Sequence, residues 1–286
     1  MKFSIITINY NNRDGLQKTI NSVVSQTFKD YEWIIIDGGS TDGSRELIEQ
    51  YQDSLAFWCS EPDKGVYNAM NKGIDHAKGE YLNFMNSGDT YENESTLQMV
   101  FKENITADIA YGNWLRIYPD HEKYMKAPEN ISLSSIYKEN ICHQAMFIKR
   151  EIHKKEKYDE RYKIYGDWAL WQKMALEGKS FQYLPYTICR FEAGAGLSDT
   201  HTKEKKIEEK WIHGIYPSNI LLLLQENKDL KNELHAIGPK IRNILSIRKN
   251  HPVYNKVLKI CLLPVLLIAH LLYKREIISL NQEQKQ

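Results

Sequence analysis

The sequence predicts an α/β fold, a mostly parallel sheet flanked by helices that runs on into a helical C-terminal extension. Three observations lead there. Apolar runs at Ile5-Ile6-Thr7-Ile8 and Trp33-Ile34-Ile35-Ile36 break abruptly into Asn9-Tyr10-Asn11-Asn12 and Asp37-Gly38-Gly39-Ser40-Thr41-Asp42-Gly43. Strand-like and helix-like periods alternate with short links over the first hundred residues, the pattern of β–α–β crossovers. Buried strands whose carboxyl ends open into Gly, Asn, Asp and Ser mark the crevice of an open sheet, where following helices present free N–H groups. A nucleotide or a phosphorylated ligand suits such a crevice.

Taken in order, residues 3–8 read as a buried strand and 15–26 as a helix with Leu16, Ile20, Val23 and Val24 on one face. Residues 32–37 form a second strand, after which Ser40 or Asp42 caps a helix through Leu47, Ile48 and Tyr51. A strand at 55–60, a helix at 66–77 and a strand at 80–85 complete the alternation. Beyond residue 105 the pattern is mixed. Strands are expected at 108–111 and 113–118 around a turn at Gly112, at 145–148, at 181–184 and at 187–191, with a helix at 168–176. The expected division is a catalytic domain over 1–200 and a basic helical region over 201–286.

The chain has 286 residues, enough for one sizeable core and a smaller appendage. Cys59, Cys142, Cys189 and Cys261 form no C-x-x-C pair, so neither zinc nor a disulfide framework is expected. A strand directly after Met1-Lys2 leaves no place for a signal peptide, and the expected compartment is the cytoplasm. Net charge is +1, yet residues 1–200 hold 23 Lys and Arg against 29 Asp and Glu, and residues 201–275 hold 14 against 6. The basic tail therefore suits an anionic partner, and nucleic acid is not the expected one. Residues 257–273 are mostly apolar, but their longest apolar stretch falls short of the ~20 residues of a spanning helix. A helix lying in the plane of an anionic leaflet, at the inner face of the plasma membrane, is the expectation. Docking on the catalytic domain or on a second copy in a homo-oligomer is the alternative, and the leucine run within 219–234 suits either.

Further segments carry chemistry. Glu61-Pro62-Asp63-Lys64-Gly65 precedes Tyr67-Asn68-Ala69-Met70-Asn71-Lys72-Gly73, and Lys64 beside a helix N-terminus can hold a phosphate oxygen because dipole and ammonium act together. Phe84-Met85-Asn86-Ser87-Gly88-Asp89 ends a strand, and Ile141-Cys142-His143-Gln144-Ala145 begins one. Tyr165-Gly166-Asp167-Trp168-Ala169-Leu170-Trp171 opens a helix, where the Asp167 carboxylate is expected to stand exposed at the positive end. Arg190-Phe191-Glu192-Ala193-Gly194-Ala195-Gly196-Leu197-Ser198 has the glycines of a closing segment. Each has a plainer reading too: Asp37 and Asp167 as helix caps, Asp89 as a turn residue, His143 as a structural histidine, Trp168 and Trp171 as core instead of a sugar floor.

Spaced in this order over roughly residues 3–198, these segments resemble the family 2 glycosyltransferases with the GT-A fold, a Rossmann-like sheet. The resemblance implies a nucleotide-sugar donor, expected to be a UDP-sugar, whose nucleoside meets Thr7, Asn9, Tyr10 and Asp37. Asp63, Lys64 and Asn71 would line its ribose and diphosphate, with Asn86 and Ser87 beside them. Asp89 stands at the last acid of the family's D-x-D motif and would hold Mg2+ or Mn2+ against the leaving diphosphate. Asp167 would be the general base of an inverting transfer, with His143 and Gln144 on the acceptor side. Where relatives carry a further acid, this chain has Gly38, Ser87 and Gly166. The Q-x-x-R-W motif of processive synthases is missing, so the resemblance implies addition of one hexosyl or N-acetylhexosaminyl unit. The acceptor would be a hydroxyl of a glycan or lipid-linked substrate in surface polysaccharide biosynthesis. The thinned acids leave a catalytically inactive sugar-nucleotide-binding or scaffold protein as the alternative.

Overall fold

The structure, a computed structural model, describes residues 2–138, 140–194 and 202–214. Strands β1 (Phe3–Asn9), β2 (Tyr31–Asp37), β3 (Phe57–Ser60) and β4 (Tyr81–Phe84) form a parallel block in the order β3-β2-β1-β4. Parallel neighbours need a crossover, and helices α1 (Arg13–Val24), α2 (Ser44–Gln50) and α3 (Val66–His76) make the three connections. β1 and β2 are buried on both faces, which is why their sequences run apolar without alternation. Helix α1 buries Leu16, Thr19, Ile20 and Val23 as one stripe. It starts two residues before its apolar period because Asn12 accepts a hydrogen bond from the Gly15 N–H and caps it.

After β4 come β5 (Thr90–Tyr91), α4 (Thr96–Lys102), β6 (Ile109–Ile117), β7 (Glu122–Met125), α5 (Leu133–Lys138), β8 (Met146–Lys149) and α6 (Arg150–Lys155). α7 (Gly166–Leu176), β9 (Phe181–Glu192) and α8 (Thr202–His213) follow. β8 lies between β4 and β6 and is antiparallel to both. Its amino end, preceded by a 3-10 turn at His143–Ala145, therefore reaches the edge where β1, β2 and β4 end. β9 runs parallel to β6 and finishes at that edge as well. This reversal of direction gathers the site from segments far apart in the chain.

The expected α/β sheet with flanking helices is present, while two strand boundaries differ. β6 passes through Gly112 without turning, and β9 is one strand instead of two. Their pairing jumps from Tyr111 opposite Tyr183 to Asn113 opposite Thr187. Pro185 has no N–H for the ladder, so the segment around it bulges. The bulge lies over Gly112, where a Cβ would come within 2.6 Å of Ile188 Cγ1 and 2.9 Å of the Tyr186 carbonyl oxygen.

Helix α8 packs on the body through Glu208, which is 2% exposed. Its carboxylate accepts the N–H groups of Lys163, Ile164 and Tyr165 at 2.7, 3.1 and 2.8 Å. The compact unit to which it belongs extends to Pro217. The stretches 219–234 and 257–273 lie outside the described residues. Among the described residues, no helix is long and apolar enough to cross a membrane.

Gly79 shows how closely the links approach the sheet. Its N–H donates to Ser4 Oγ at 2.8 Å and to Glu32 Oε1 at 3.0 Å. A Cβ there would lie 2.5 Å from the backbone carbon of Phe3 and the backbone nitrogen of Ser4, in a buried strand that cannot give way. Gly79→Ala is therefore expected to lower the unfolding free energy by about 1–3 kcal/mol, the usual cost of overpacking, as read from urea denaturation.

Candidate active site

At the ends of β1 and β2, Asp37 is fully buried and both its oxygens are engaged. Oδ1 accepts from Asn9 Nδ2 at 2.7 Å and Ser40 Oγ at 2.6 Å; Oδ2 accepts from the Ser40 N–H at 2.9 Å and Ser60 Oγ at 2.6 Å. Burial works to raise its pKa, but these four donors outweigh it and hold the carboxyl below its ordinary value. A base N–H reaching Asp37 would have to displace a serine hydroxyl. Tyr10 stands 67% exposed at the rim above it. Lys64 is exposed next to the first turn of α3, whose N-cap Gly65 (φ 120°) leaves the helix amides without a side-chain cap.

Two carboxylates on the other wall are held by adjacent residues. Gln144 Nε2 donates to Asp89 Oδ2 at 2.5 Å, while His143 Nδ1 meets Asp167 Oδ2 at 3.1 Å. His143 Nε2 lies 2.9 Å from Asn86 Nδ2; with that amide donating to Nε2, the ring turns an Nδ1–H toward Asp167. Asn86 Oδ1 is buried with no donor among the described residues. Asp167 Oδ1 accepts the Trp168 N–H at 2.7 Å, and Asn140 Nδ2 lies 3.3 Å from Oδ2. Asp89 Oδ1 accepts the Glu192 N–H at 3.0 Å from the end of β9. Thr19 shapes the loop beneath, accepting from Gly88 N–H at 3.0 Å with its hydroxyl 2.8 Å from the Asp89 carbonyl. Burial pushes the Asp89 carboxyl up to about 6, against the pull of the Gln144 and Glu192 hydrogen bonds and of His143.

Gly38 and Gly166, which stand where relatives carry an acid, and Gly88, between Ser87 and Asp89, each have a neighbour close against them. A Cβ at Gly38 would meet Asp63 Oδ2 at 2.7 Å and Tyr10 Cδ2 at 3.1 Å. At Gly88 (φ 103°) it would meet Glu192 Oε2 at 2.6 Å, and at Gly166 the Tyr67 ring at 2.7 Å. Carboxylates from more distant segments thus fill the space beside Gly38 and Gly88, and an aromatic ring fills it beside Gly166.

Several expectations need correction. Thr7 is fully buried and accepts from Trp33 Nε1 at 3.0 Å, so it faces the interior and not the crevice. Asn71 turns away from the donor side. Its amide bonds the Tyr158 carbonyl at 2.9 Å and the Tyr158 N–H at 3.0 Å, tying α3 to the loop before α7. Gln144 is 1% exposed and positions Asp89 from within the protein. Asp167 is not exposed at its helix end but 6% accessible, because Tyr67, Asn140 and His143 close around it. Trp168 and Trp171 are core residues whose indole N–H groups donate to the carbonyls of Ile136 and Ile141. Asn9 Nδ2 donates to Asp37, Asp63 Oδ1 accepts the Gly65 N–H at 2.8 Å, Asn86 faces His143, and Asn12 Nδ2 holds the Ser87 carbonyl at 3.1 Å. Tyr67, Asn140, Thr19 and Glu192 were not singled out as site residues. Tyr67 and Glu192 lay inside quoted motifs, whereas Asn140 and Thr19 carried no signal.

Among the described residues, no three His, Cys, Asp or Glu side chains converge as a ready metal cage. The donors present nonetheless fit a hard divalent cation: the buried Asp89 carboxylate with its raised pKa, and the unpartnered Asn86 Oδ1. Mg2+ takes few protein oxygens and completes its shell with water and phosphate.

The model of the family described as Glycosyl transferase family 2 matches residues 4–177. The chain belongs to that family. A PGL/p-HBAD biosynthesis glycosyltransferase of Mycobacterium bovis is 30% identical over 209 residues, covering 69% of this chain and 79% of that relative. The uncharacterized glycosyltransferase Rv1514c of Mycobacterium tuberculosis is 46% identical over 89 residues, a match spanning only 34% of its length. The putative teichuronic acid biosynthesis glycosyltransferase TuaG of Bacillus subtilis is 29% identical over 48% of this chain and 58% of its own. Among solved structures, S. aureus TarS 1–349 in complex with UDP-GlcNAc superposes with a TM-score of 0.59 at 19% identity, over 71% of this chain and 61% of that one. A mannosyltransferase from Pyrobaculum calidifontis, in complex with GDP-Man and Mn2+, gives 0.55 at 17% identity over 69% and 58%. These likenesses establish the GT-A fold.

The raised Asp89 pKa has a measurable consequence. The folded chain holds this proton more tightly than the unfolded one, so the contribution is complete below the ordinary value of 3.8 and is lost as pH rises through about 6. Compared with Asp89→Asn, the wild type should lose on the order of 3 kcal/mol of stability between pH 4 and pH 7, two pKa units at about 1.4 each. His153, whose pKa burial lowers to about 4, contributes to both proteins and cancels in the difference. Chemical denaturation of the pair across this range is the measurement.

Proposed function

We propose that the protein is an inverting glycosyltransferase that moves one sugar from a nucleotide-sugar donor, a UDP-sugar, to a hydroxyl of a glycan or lipid-linked acceptor. The observation that carries this reading is the convergence of Asp89 and Asp167 on the adjacent residues Gln144 and His143. One carboxylate is then set for the diphosphate and the other for the acceptor, on the same wall of one crevice. UDP-GlcNAc bound to the TarS neighbour supports a uridine donor, and the names of the PGL and teichuronic acid relatives support surface glycan assembly. A hexosyl or N-acetylhexosaminyl unit is the expected cargo. Residues 1–200 would carry the chemistry, and the basic remainder would hold the protein at the cytoplasmic face of a membrane.

In this reading Asp167 takes the proton of the acceptor hydroxyl while that oxygen attacks the anomeric carbon and the bond to the diphosphate breaks. The His143 Nδ1–H orients the carboxylate, and Trp168 N–H fixes its other oxygen. Tyr10 and the loop that follows Asp37 receive the nucleoside, and Lys64 with the first turn of α3 receives phosphate oxygens. Asp89 and Asn86 would hold a divalent cation, which offsets charge on the leaving diphosphate when bound.

Asp167→Asn should lower transfer by about 10²–10⁴-fold, the usual contribution of a positioned base, while calorimetry still detects the nucleotide. Undiminished transfer would remove Asp167 from this role. Donor hydrolysis, screened over nucleotide sugars with and without Mn2+, separates an enzyme from a scaffold, which would hydrolyse none.

A further inference from the structure

Helix α8 presents an unusual outer face. Glu208 and Ile212 are buried against the body, and the exposed residues of the turns between and before them are Lys203, Lys206, Ile207, Glu209, Lys210 and Trp211. At 100° per residue, Lys206, Lys210, Lys203, Ile207 and Trp211 fall in that order along one continuous arc, and Glu209 lies outside it. Ile207 is 51% and Trp211 49% exposed. Trp211 is steadied at one edge by Tyr162, at 5.7 Å and 80° between ring planes. Three ammonium groups beside an indole and a branched aliphatic chain match a bilayer boundary, where aromatic and aliphatic groups enter the acyl edge and lysines meet phosphates.

We infer that this face of α8 rests on an anionic phospholipid surface. The inference deepens the membrane part of the proposed function and places the contact on the catalytic body, apart from the apolar tail. Charge complementarity selects the partner: the charged residues within the exposed arc of α8 are Lys203, Lys206 and Lys210, with Glu204 and Glu209 beyond its two edges, and residues 201–275 as a whole carry 14 basic against 6 acidic side chains. Helix α8 also adjoins the candidate site, through its buried side. Glu208 holds the amides of Lys163, Ile164 and Tyr165, immediately before Gly166 and Asp167. A bilayer under α8 would bring a membrane-borne acceptor to the side of the crevice where Asp167 lies.

Full-length protein is mixed with vesicles of phosphatidylcholine alone or with phosphatidylglycerol added, in the absence of any sugar nucleotide. Binding is expected only to the anionic vesicles and should weaken with salt. The triple variant Lys203→Glu, Lys206→Glu, Lys210→Glu should bind on the order of a hundredfold more weakly, since each lysine near the surface is worth about fivefold. Brominated lipid should quench the fluorescence of the parent protein, and Trp211→Phe should abolish most of that quenching even if the triple variant fails to fold. Binding unchanged by the charge reversals, or quenching unchanged by Trp211→Phe, would overturn the inference and leave the face to the tail or a second copy. Partition is read without turnover, so a failure of the proposed chemistry cannot be mistaken for a failure of this contact.

Discussion

The site depends on one short turn, His143–Ala145, that grips a carboxylate with each of two successive side chains. The turn is itself fixed by Asn83, whose amide donates to the carbonyls of Gln144 and Met146 at 3.0 and 2.8 Å, and by Tyr91, whose hydroxyl donates to Asn83 Oδ1 at 2.7 Å. Every atom in this chain of contacts is buried or nearly so. A charge-assisted bond in such surroundings is strong when made and costly when one partner is lost. The separation of Asp89 and Asp167 is thereby set by backbone and not by two independently mobile side chains.

That turn can exist only because β8 runs against β4. In a wholly parallel sheet, the amino end of the next strand would lie at the opposite edge, and His143 would be a strand length from the crevice. β9 extends the same logic. Its parallel run with β6 delivers the Glu192 N–H to Asp89, so the carboxylate is tied to the strand from which the glycine-bearing segment departs.

How much of this could be read from residues alone varied with the physics involved. The parallel block was legible because burial on both faces forces continuous apolar runs, as at residues 31–37, and because Gly, Asn and Asp must follow where the chain turns into the crevice. Asp37 stands out by the same local reasoning, whereas Asp89 and Asp167 stand out through the resemblance of their segments to family motifs. Accessibility was not legible. Thr7 and Asn71 lie in motif positions, yet their partners, Trp33 and Tyr158, are distant in sequence, and a side chain's direction is decided by such partners. The strand pairs β5–β9 and β6–β7 were hidden because short, partly polar strands draw their stability from neighbours more than from their own pattern. The gap between the strands expected at 181–184 and 187–191 is a bulge at Pro185, since a ladder tolerates a missing donor when the extra residues can be looped out.

The glycines at 38 and 88 have a consequence for how such proteins are recognised. A carboxylate from a distant segment stands beside each: Asp63 beside Gly38, and Glu192, the last residue of β9, beside Gly88. A scan for adjacent acids along the chain would discard this protein as inert, whereas a tally in three dimensions would not. Family members dismissed for eroded motifs merit recounting by space and not by string.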